Sequence, residues 1–137
     1  MRVMILGLGC DIVQISRFAK SEDFLWRFIT KYFTLAEIEE IEQKKANANF
    51  NDLKISVATR FAAKEAAVKA LGTGFRNGIT LKDIEIKHDS LGKPEISLYN
   101  KALSYAYQIA KGQKFNIHLT LSNEREYANA VVVIELI

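Results

Sequence analysis

The chain has 137 residues, 49% of them hydrophobic, with a single proline and a formal net charge of +3. This is the size and composition of one compact domain with a sizeable core, which excludes a disordered chain. No apolar run approaches the length that a bilayer requires, and the N-terminus enters a strand pattern without a basic region and cleavage site. We therefore expect a cytoplasmic protein without an export signal.

The single cysteine, Cys10, excludes an internal disulfide, and it has neither a second thiol nor a closely spaced histidine for a zinc site. We predict that it is a small buried hydrophobe. The modest positive charge favours a local basic patch that meets an acidic partner over a broad nucleic-acid-binding surface. Salt should weaken such an encounter.

The first predicted element is an apolar run from Val3 to Val13, punctuated by glycines, which is typical of a buried strand. It carries one acid, Asp11, near its end. Burying a carboxylate is costly unless it is paired or bound to a metal. Two interpretations stay open: a structural one, in which Asp11 pairs with Arg17 or caps the following helix, and a metal-binding one.

Two helices and a loop are predicted next. From Ser16 to Phe33, apolar and basic residues alternate at helical spacing, so we expect one helix there. The segment Thr34-Leu35-Ala36-Glu37 is a capping-box pattern that opens a second helix. The residues from Asn47 to Asp52 are polar and loop-like.

The most informative segment runs from Arg60 to Gly74 and sets one carboxylate among three cations on a predicted helix. Residues three and four apart share a helix face, so Glu65 and Lys69 line up while Arg60 and Lys64 form a cationic ridge beside them. The alternative is an exposed helix whose Glu65 and Lys69 form an ordinary surface pair.

The helix ends in a glycine-rich turn, where Gly72 offers a C-cap and Gly74 lets backbone approach a ligand. One or two carboxylates completed by water and substrate phosphates is how proteins commonly hold Mg²⁺. Asp11 and Glu65, brought together from distant segments, would serve that purpose. The carboxylates, cations and glycines together suit a metal and phosphates.

In the second half we predict a strand from Ile79 to His88, a turn from Leu91 to Pro94 and a second strand from Glu95 to Tyr99. A helix ending near Gly112 and a closing hairpin follow. In the hairpin, residues 115–121 alternate and predict one buried face, whereas residues 130–134 are apolar throughout and predict a strand covered on both sides. The expected fold class is α+β, with helices packed on antiparallel sheet. His88 and His118 have no companion at catalytic or ligand spacing, so we expect structural or solvent-exposed histidines.

Several motifs, in order, resemble the holo-(acyl-carrier-protein) synthase family of 4′-phosphopantetheinyl transferases. They are Gly9-Cys10-Asp11-Ile12-Val13, then Arg60-Phe61-Ala62-Ala63-Lys64-Glu65-Ala66 and Lys69-Ala70-Leu71-Gly72-Thr73-Gly74. The turn Leu91-Gly92-Lys93-Pro94 resembles the family's Gly-Lys-Pro turn, and His118-Leu119-Thr120-Leu121-Ser122 resembles the strand entering its C-terminal hairpin. The match covers nearly the whole chain and implies a single domain over residues 1–137.

The resemblance implies transfer of 4′-phosphopantetheine from coenzyme A to a serine of acyl carrier protein, with Mg²⁺, in fatty acid biosynthesis. By similarity, Asp11 and Glu65 are the metal-binding acids, and Glu65 or a metal-held water is the base; the sequence does not choose between them. The family forms homotrimers with sites between adjacent subunits. The alternatives are a binding module that kept the fold but lost turnover, and a nucleic-acid-binding domain, which lacks a recognised motif.

The resemblance also assigns ligand contacts. Coenzyme A is expected to meet Lys64, Lys69, Gly72 and Thr73, a phosphate to meet Arg60, and the adenine to lie near Gly92, Lys93 and Pro94. The acidic carrier protein is expected to meet Arg17, Arg27 and Lys31, with Phe28 as an apolar anchor. One position departs from a common family pattern: Asn123 stands where many members have a histidine, and an amide cannot act as a base.

Overall fold

The computed structural model describes residues 4–44 and 49–137. Within these ranges four helices and five strands follow one another as β1 Met4–Gln14, α1 Glu22–Tyr32, α2 Leu35–Lys44, α3 Phe50–Leu71, β2 Ile84–His88, β3 Pro94–Leu98, α4 Asn100–Ile109, β4 Phe115–Asn123 and β5 Tyr127–Leu136. One antiparallel sheet has the order β1-β5-β4, and β2 and β3 form a separate antiparallel pair. The expected α+β class is confirmed. In the described part of the chain, no helix is both long and apolar enough to cross a membrane.

The central contact of the fold is the close approach of β1 to α3. A Cβ atom on Gly9 would lie 1.9 Å from the carbonyl oxygen of Ala66, and one on Gly7 would lie 1.9 Å from that of Ala70. The facing side of α3 is built from alanines, including Ala62 and Ala66, that are fully buried. Because small residues meet on both sides, the strand lies directly on the helix backbone. Residues near the end of β1 are thereby held against the second half of α3.

We expect Gly9→Ala to destabilise the protein by about 1–3 kcal/mol, because the added methyl group forces the strand away from the Ala66 carbonyl. Denaturant unfolding would measure the change. The control is Ser104→Ala, since Ser104 is exposed on α4, away from β1. Equal stability of the Gly9→Ala and wild-type proteins would contradict the close packing.

The segment after β1 is not the single helix that the spacing predicts. A short 3-10 turn covers Ile15–Phe18, and α1 starts only at Glu22. The break occurs because the Ser21 side chain accepts a hydrogen bond from the Phe24 backbone N–H at 3.0 Å and so acts as an N-cap. The basic residues of this region therefore lie on two elements.

The N-termini of α2 and α3 both carry capping boxes. The predicted box of α2 is confirmed, with Glu37 N–H bonded to Thr34 Oγ1 at 3.2 Å and Thr34 N–H bonded to Glu37 Oε1 at 3.0 Å. In α3 the cap is Asn49, paired with Asp52. The predicted loop is therefore wrong for residues 50–52, which are helical, while positions 47 and 48 lie outside the described residues.

One face of the three-stranded sheet is open in this chain. Leu8 is 67% exposed and Ile12 is 64% exposed, and Cys10 between them is exposed as well. The prediction of a buried cysteine is wrong because α3 covers only the face that carries Gly9. On β5 the same asymmetry leaves Val131 and Val133 partly exposed, so that strand is covered on one side within the single chain.

Candidate active site

Asp11 lies where β1 crosses the second half of α3. Lys69 Nζ donates to Asp11 Oδ1 at 3.0 Å and to the backbone carbonyl of Cys10 at 3.0 Å. The lysine side chain is 51% exposed, whereas that of Asp11 is only 14% exposed. Asp11 thus pairs with Lys69, whereas the structural interpretation paired it with Arg17. Lys69 therefore does more than form a surface pair with Glu65, which was the alternative interpretation of this helix.

Glu65 lies one helical turn before Lys69 and is partly buried. Burial raises the pKa of its carboxyl group above the ordinary value, and the negative charge of Asp11 raises it further. The positive charges of Lys69 and Arg17 lower the same pKa and offset part of this effect. The charges of Asp11, Lys69 and Arg17 therefore all act on Glu65, and the two predicted metal-binding acids lie close enough for their charges to interact.

The donor set at Asp11 and Glu65 fits a hard divalent cation. Among the described residues, no group of three or more His, Cys, Asp and Glu side chains is arranged to hold a metal ion. Two carboxylates leave the remaining coordination positions to water and to a ligand, which suits Mg²⁺ and does not suit a structural zinc site. A cation held by the two acids would offset the negative charge of Asp11, which adds to burial in raising the pKa of Glu65.

We expect Asp11→Asn to lower the pKa of Glu65, because it removes a like charge, and Lys69→Met to raise it. A ¹³C NMR titration of labelled glutamate carboxyl groups, without divalent ions, measures both shifts. Lys111→Met, on an exposed turn, is the control and should leave the Glu65 titration unchanged. Since the pKa is raised, Glu65 takes up its proton at a higher pH than an ordinary glutamate, and it ceases to be a base below that pH. If Asp11→Asn left the pKa of Glu65 unchanged, the two acids would not belong to one site.

Lys64 lies on the opposite side of α3 and is fully buried. Its Nζ donates to Glu37 Oε1 at 2.8 Å and to the carbonyl oxygens of Leu81 and Ile84. The second carboxylate oxygen of Glu37 accepts from the Ile86 backbone N–H at 3.1 Å. The structure therefore does not place Lys64 where it would bind coenzyme A; the side chain ties α3 to α2 and β2.

Arg60 is also buried, one turn earlier on α3. One terminal nitrogen donates to Glu40 Oε1 at 2.6 Å and the other to Ser56 Oγ at 2.5 Å. Its Nε has no hydrogen-bond partner among the described residues. Arg60 borders a cleft of about 310 Å³, which we call the Arg60 pocket; its polar lining includes Lys44, Ser56, Thr59, Arg60, His88 and Asn123. The guanidinium is therefore hydrogen-bonded to Glu40, and Arg60 also lines an open cleft.

The turn after α3 uses its backbone amides to end the helix. Gly72 has a φ of 83°, the left-handed conformation of a C-cap. The N–H groups of Thr73 and Gly74 both donate to the Val68 carbonyl. The hydroxyl of Thr73 donates to the Gly74 carbonyl at 2.8 Å. The predicted C-cap is confirmed, and these amides are engaged by the helix instead of being directed at a ligand.

The Gly-Lys-Pro turn lies between β2 and β3, and Asp89 organises it by accepting hydrogen bonds from the Leu91 and Lys93 backbone N–H groups at 2.9 Å. Gly92 has a φ of 86°, which favours glycine. Lys93 and Pro94 border a cleft of about 420 Å³ between β3 and β4. Two of the residues assigned to the adenine, Lys93 and Pro94, thus line a cleft whose lining does not include Asp11 or Glu65.

The residues assigned to the carrier protein lie on two surfaces. Arg17 stands 5.7 Å from the ring centre of Phe61 and acts on the pKa of Glu65, so it borders the carboxylate pair. Arg27 and Lys31 share a shallow exposed groove on α1. The ring of Phe28 packs edge-on against Phe18, Phe33 and Phe61. Phe28 therefore belongs largely to the core, with a partly exposed remainder.

Sequence reasoning missed Glu37 and Glu40 as partners of the buried cations. These acids lie three residues apart on α2, and Arg60 and Lys64 lie four apart on α3, so each pair shares one helix face. The matching spacing of opposite charges was the available signal. It also missed His88, whose Nδ1 lies 2.5 Å from Glu40 Oε1.

Known proteins resemble this chain over nearly its whole length. The family model described as the 4′-phosphopantetheinyl transferase superfamily matches residues 7–132. The holo-(acyl-carrier-protein) synthase of Vibrio cholerae is 44% identical over 96% of this chain and 98% of that protein. Among solved structures, the Plasmodium yoelii acyl carrier protein synthase with ADP bound has a TM-score of 0.82 at 35% identity, covering 100% of this chain and 99% of that one.

A second solved structure is the holo-(acyl-carrier-protein) synthase of Bacillus anthracis in complex with coenzyme A (3′,5′-ADP). It has a TM-score of 0.75 at 32% identity and covers 98% of this chain and 99% of that one. The family model and these relatives define a group-transfer enzyme. The chain belongs to the 4′-phosphopantetheinyl transferase superfamily and, within it, to the holo-(acyl-carrier-protein) synthase family.

Proposed function

We propose that this enzyme transfers the 4′-phosphopantetheine group of coenzyme A to a serine of apo acyl carrier protein. Adenosine 3′,5′-bisphosphate is the second product, Mg²⁺ is the cofactor, and the cytoplasmic reaction serves fatty acid biosynthesis. The observation that carries the proposal is the carboxylate pair Asp11 and Glu65, with Lys69 bonded to Asp11 at 3.0 Å. We assign coenzyme A as the substrate because the structure of one relative is a complex with it.

The reaction is phosphoryl transfer to a hydroxyl group, so it depends on alignment and on neutralising charge. The serine oxygen forms a bond to the phosphorus next to pantetheine, and the bond from that phosphorus to the oxygen bridging to the other phosphate breaks. The electron pair leaves with adenosine 3′,5′-bisphosphate. When bound at Asp11 and Glu65, Mg²⁺ supplies positive charge to the pyrophosphate.

Two side chains of this site have direct tasks. Lys69 is exposed enough to reach a phosphate oxygen and adds positive charge beside the acids. Glu65 accepts the serine proton, directly or through water, and burial together with the charge of Asp11 raises its pKa toward the range that suits a base near neutral pH. Lys69 and Arg17 limit that rise.

The nucleotide end of coenzyme A is assigned to the cleft at Lys93 and Pro94 and to the Arg60 pocket. A phosphate monoester suits that pocket because the cationic residues Arg60 and Lys44 both line it. Asn123 lines the same pocket and offers an amide donor in place of the family's histidine. This assignment gives Arg60 the phosphate contact that the motif predicts.

The acidic carrier protein is proposed to dock on the basic residues Arg17, Arg27 and Lys31. Arg17 borders Glu65, so a carrier held there presents its serine close to the carboxylate pair. Charges of opposite sign on the two surfaces would steer the encounter and make it sensitive to salt. Phe28 contributes only the partly exposed portion of its ring.

We further propose a homotrimer with sites between adjacent subunits. The open sheet face carries Leu8, Ile12 and the partly exposed Val131 and Val133, an apolar surface that a second copy would cover. Sites shared between subunits would bring the cleft at Lys93 of one chain toward the carboxylate pair of its neighbour.

Leu8→Glu should convert the trimer to a monomer, because it places a charge in the middle of this apolar face. Light scattering at assay concentration measures the mass. Leu35→Glu is the control, since Leu35 is similarly exposed, at 71%, but lies at the start of α2. A monomeric wild-type protein that is fully active would contradict the assembly.

The reaction itself is tested by product analysis. The enzyme is incubated with coenzyme A, Mg²⁺ and apo acyl carrier protein, and adenosine 3′,5′-bisphosphate is quantified by chromatography. A carrier whose acceptor serine is replaced by alanine is the control. The proposal predicts nucleotide release that requires the serine. Release at the same rate from the alanine carrier would point to hydrolysis of coenzyme A instead of transfer.

A further inference from the structure

The Arg60 pocket contains a histidine whose hydrogen bonding is fixed by a carboxylate. Glu40 Oε1 lies 2.6 Å from an Arg60 nitrogen and 2.5 Å from His88 Nδ1, and Glu40 Oε2 accepts from the His88 backbone N–H at 3.1 Å. The Arg60 guanidinium, the His88 ring and the His88 backbone amide thus occupy both oxygens of one acid. His88 is held at the edge of β2 with its ring against α2.

Glu40 is ionised in this arrangement. Burial would by itself raise the pKa of Glu40, but the hydrogen bonds from His88 and the charge of Arg60 bring the pKa below its ordinary value. An ionised carboxylate only accepts hydrogen bonds, so the proton must be on Nδ1 of His88. In the neutral imidazole, Nε2 is therefore an acceptor. In the charged imidazolium, Nε2 becomes a donor.

His88 lines the pocket and is partly exposed there. Its side chain is 20% exposed and lines the space together with Lys44, Thr59, Arg60 and Asn123. Within the described ranges Nε2 has no hydrogen-bond partner in the protein. A phosphate oxygen in the pocket can accept from a charged His88 but meets only a lone pair of a neutral one.

We propose that His88 is a binding and specificity residue for a phosphate monoester in the Arg60 pocket, and that it recognises the phosphate only when protonated. The inference rests on the proposed function, because it takes the 3′-phosphate of coenzyme A as that group. It makes coenzyme A affinity depend on pH at a point remote from the carboxylate pair. In this arrangement Asn123 contributes an amide donor to the phosphate, and His88 of β2 contributes the imidazole.

Three elements packed around His88 contribute the other groups of the pocket. From α2 His88 faces Glu40 and Lys44, from α3 Asp52 and Arg60, and from β4 the uncharged Leu121 and Asn123. Carboxylate, lysine and arginine side chains ordinarily keep their charges between pH 6 and 8, whereas histidine does not. Lowering the pH therefore adds one positive charge to the pocket and strengthens phosphate binding.

The test compares dissociation constants of coenzyme A and 3′-dephospho-coenzyme A, measured by calorimetry on the full chain at pH 6 and pH 8. Coenzyme A should bind about tenfold more weakly at pH 8, as expected for losing one charge-assisted hydrogen bond. The dephospho form should show little change. His88→Gln, which keeps an amide donor but cannot titrate, should bind coenzyme A with a nearly constant affinity, after allowance for ionisation of the phosphate itself.

An identical pH dependence in His88→Gln and wild type, or in the two ligands, would overturn the inference. If His88→Gln proves unstable, proton uptake on binding is measured for the wild-type protein by calorimetry in buffers of different ionisation enthalpy. Uptake with coenzyme A and none with the dephospho form supports the inference, and equal uptake overturns it. If the carrier protein is modified normally but the differences in pH dependence are absent, only the role of His88 is overturned. Persistent differences without carrier modification would defeat only the transferase assignment.

Discussion

Glu65→Gln is expected to reduce the rate of carrier protein modification by about a thousandfold, because it removes both a metal-binding oxygen and the group that accepts the serine proton. Asp11→Asn should have a similarly large effect through loss of the other metal-binding carboxylate. Holo-carrier formation at saturating Mg²⁺ measures both changes. The fold should persist, because neither side chain is in the apolar core.

The matched control for these variants is Glu39→Gln, which alters an exposed carboxylate on α2. Its rate should equal that of the wild-type enzyme. A near-normal rate in Glu65→Gln, with unchanged thermal unfolding, would remove Glu65 from the site. The same result in Asp11→Asn would remove Asp11 and leave its bond to Lys69 as a structural contact.

Lys64→Met is expected to lower the free energy of unfolding by about 3–5 kcal/mol, because it leaves the carboxylate of Glu37 buried without its positive partner. The double variant Lys64→Met/Glu37→Gln should recover part of the loss, since no uncompensated charge then remains. Denaturant unfolding measures the stabilities. Coenzyme A binding by the folded fraction should be nearly unchanged.

Lys69→Met should show the opposite pattern. Its side chain is half exposed, so the stability should change by no more than about 0.5 kcal/mol, while coenzyme A binding weakens through loss of a charge beside the phosphates. Similar behaviour of the two lysine variants would contradict the division between a structural and a ligand-binding lysine. A Lys64→Met protein of normal stability that fails to bind coenzyme A would restore the motif-based assignment.

The contrast between these lysines shows how far the sequence alone can lead. Spacing along α3 places Arg60 and Lys64 on one ridge and Glu65 with Lys69 on another, and the structure has both ridges. Spacing does not say which ridge meets solvent, because that depends on the acids Glu37 and Glu40 of a different helix. The motif therefore predicted two carboxylates whose charges do interact, and it assigned to coenzyme A a lysine that is buried in an ion pair with Glu37.

The strands show the same limit. The apolar run of β1 predicts a strand, but periodicity does not say how many of its faces are covered. Gly9 faces α3 at backbone contact, whereas Cys10 is exposed beside it. Caps were easier, because a capping box or a terminal glycine depends only on neighbours in sequence, as at Thr34 and Gly72.

The most direct test of the proposed transfer is the intact mass of apo acyl carrier protein after incubation with the enzyme, coenzyme A and Mg²⁺. We predict that the carrier gains the mass of one phosphopantetheine group on its acceptor serine with the wild-type enzyme and not with Glu65→Gln. Fragmentation of the product locates the group. An unmodified carrier in the presence of wild-type enzyme that still binds coenzyme A would contradict the assignment and identify a binding module in its place.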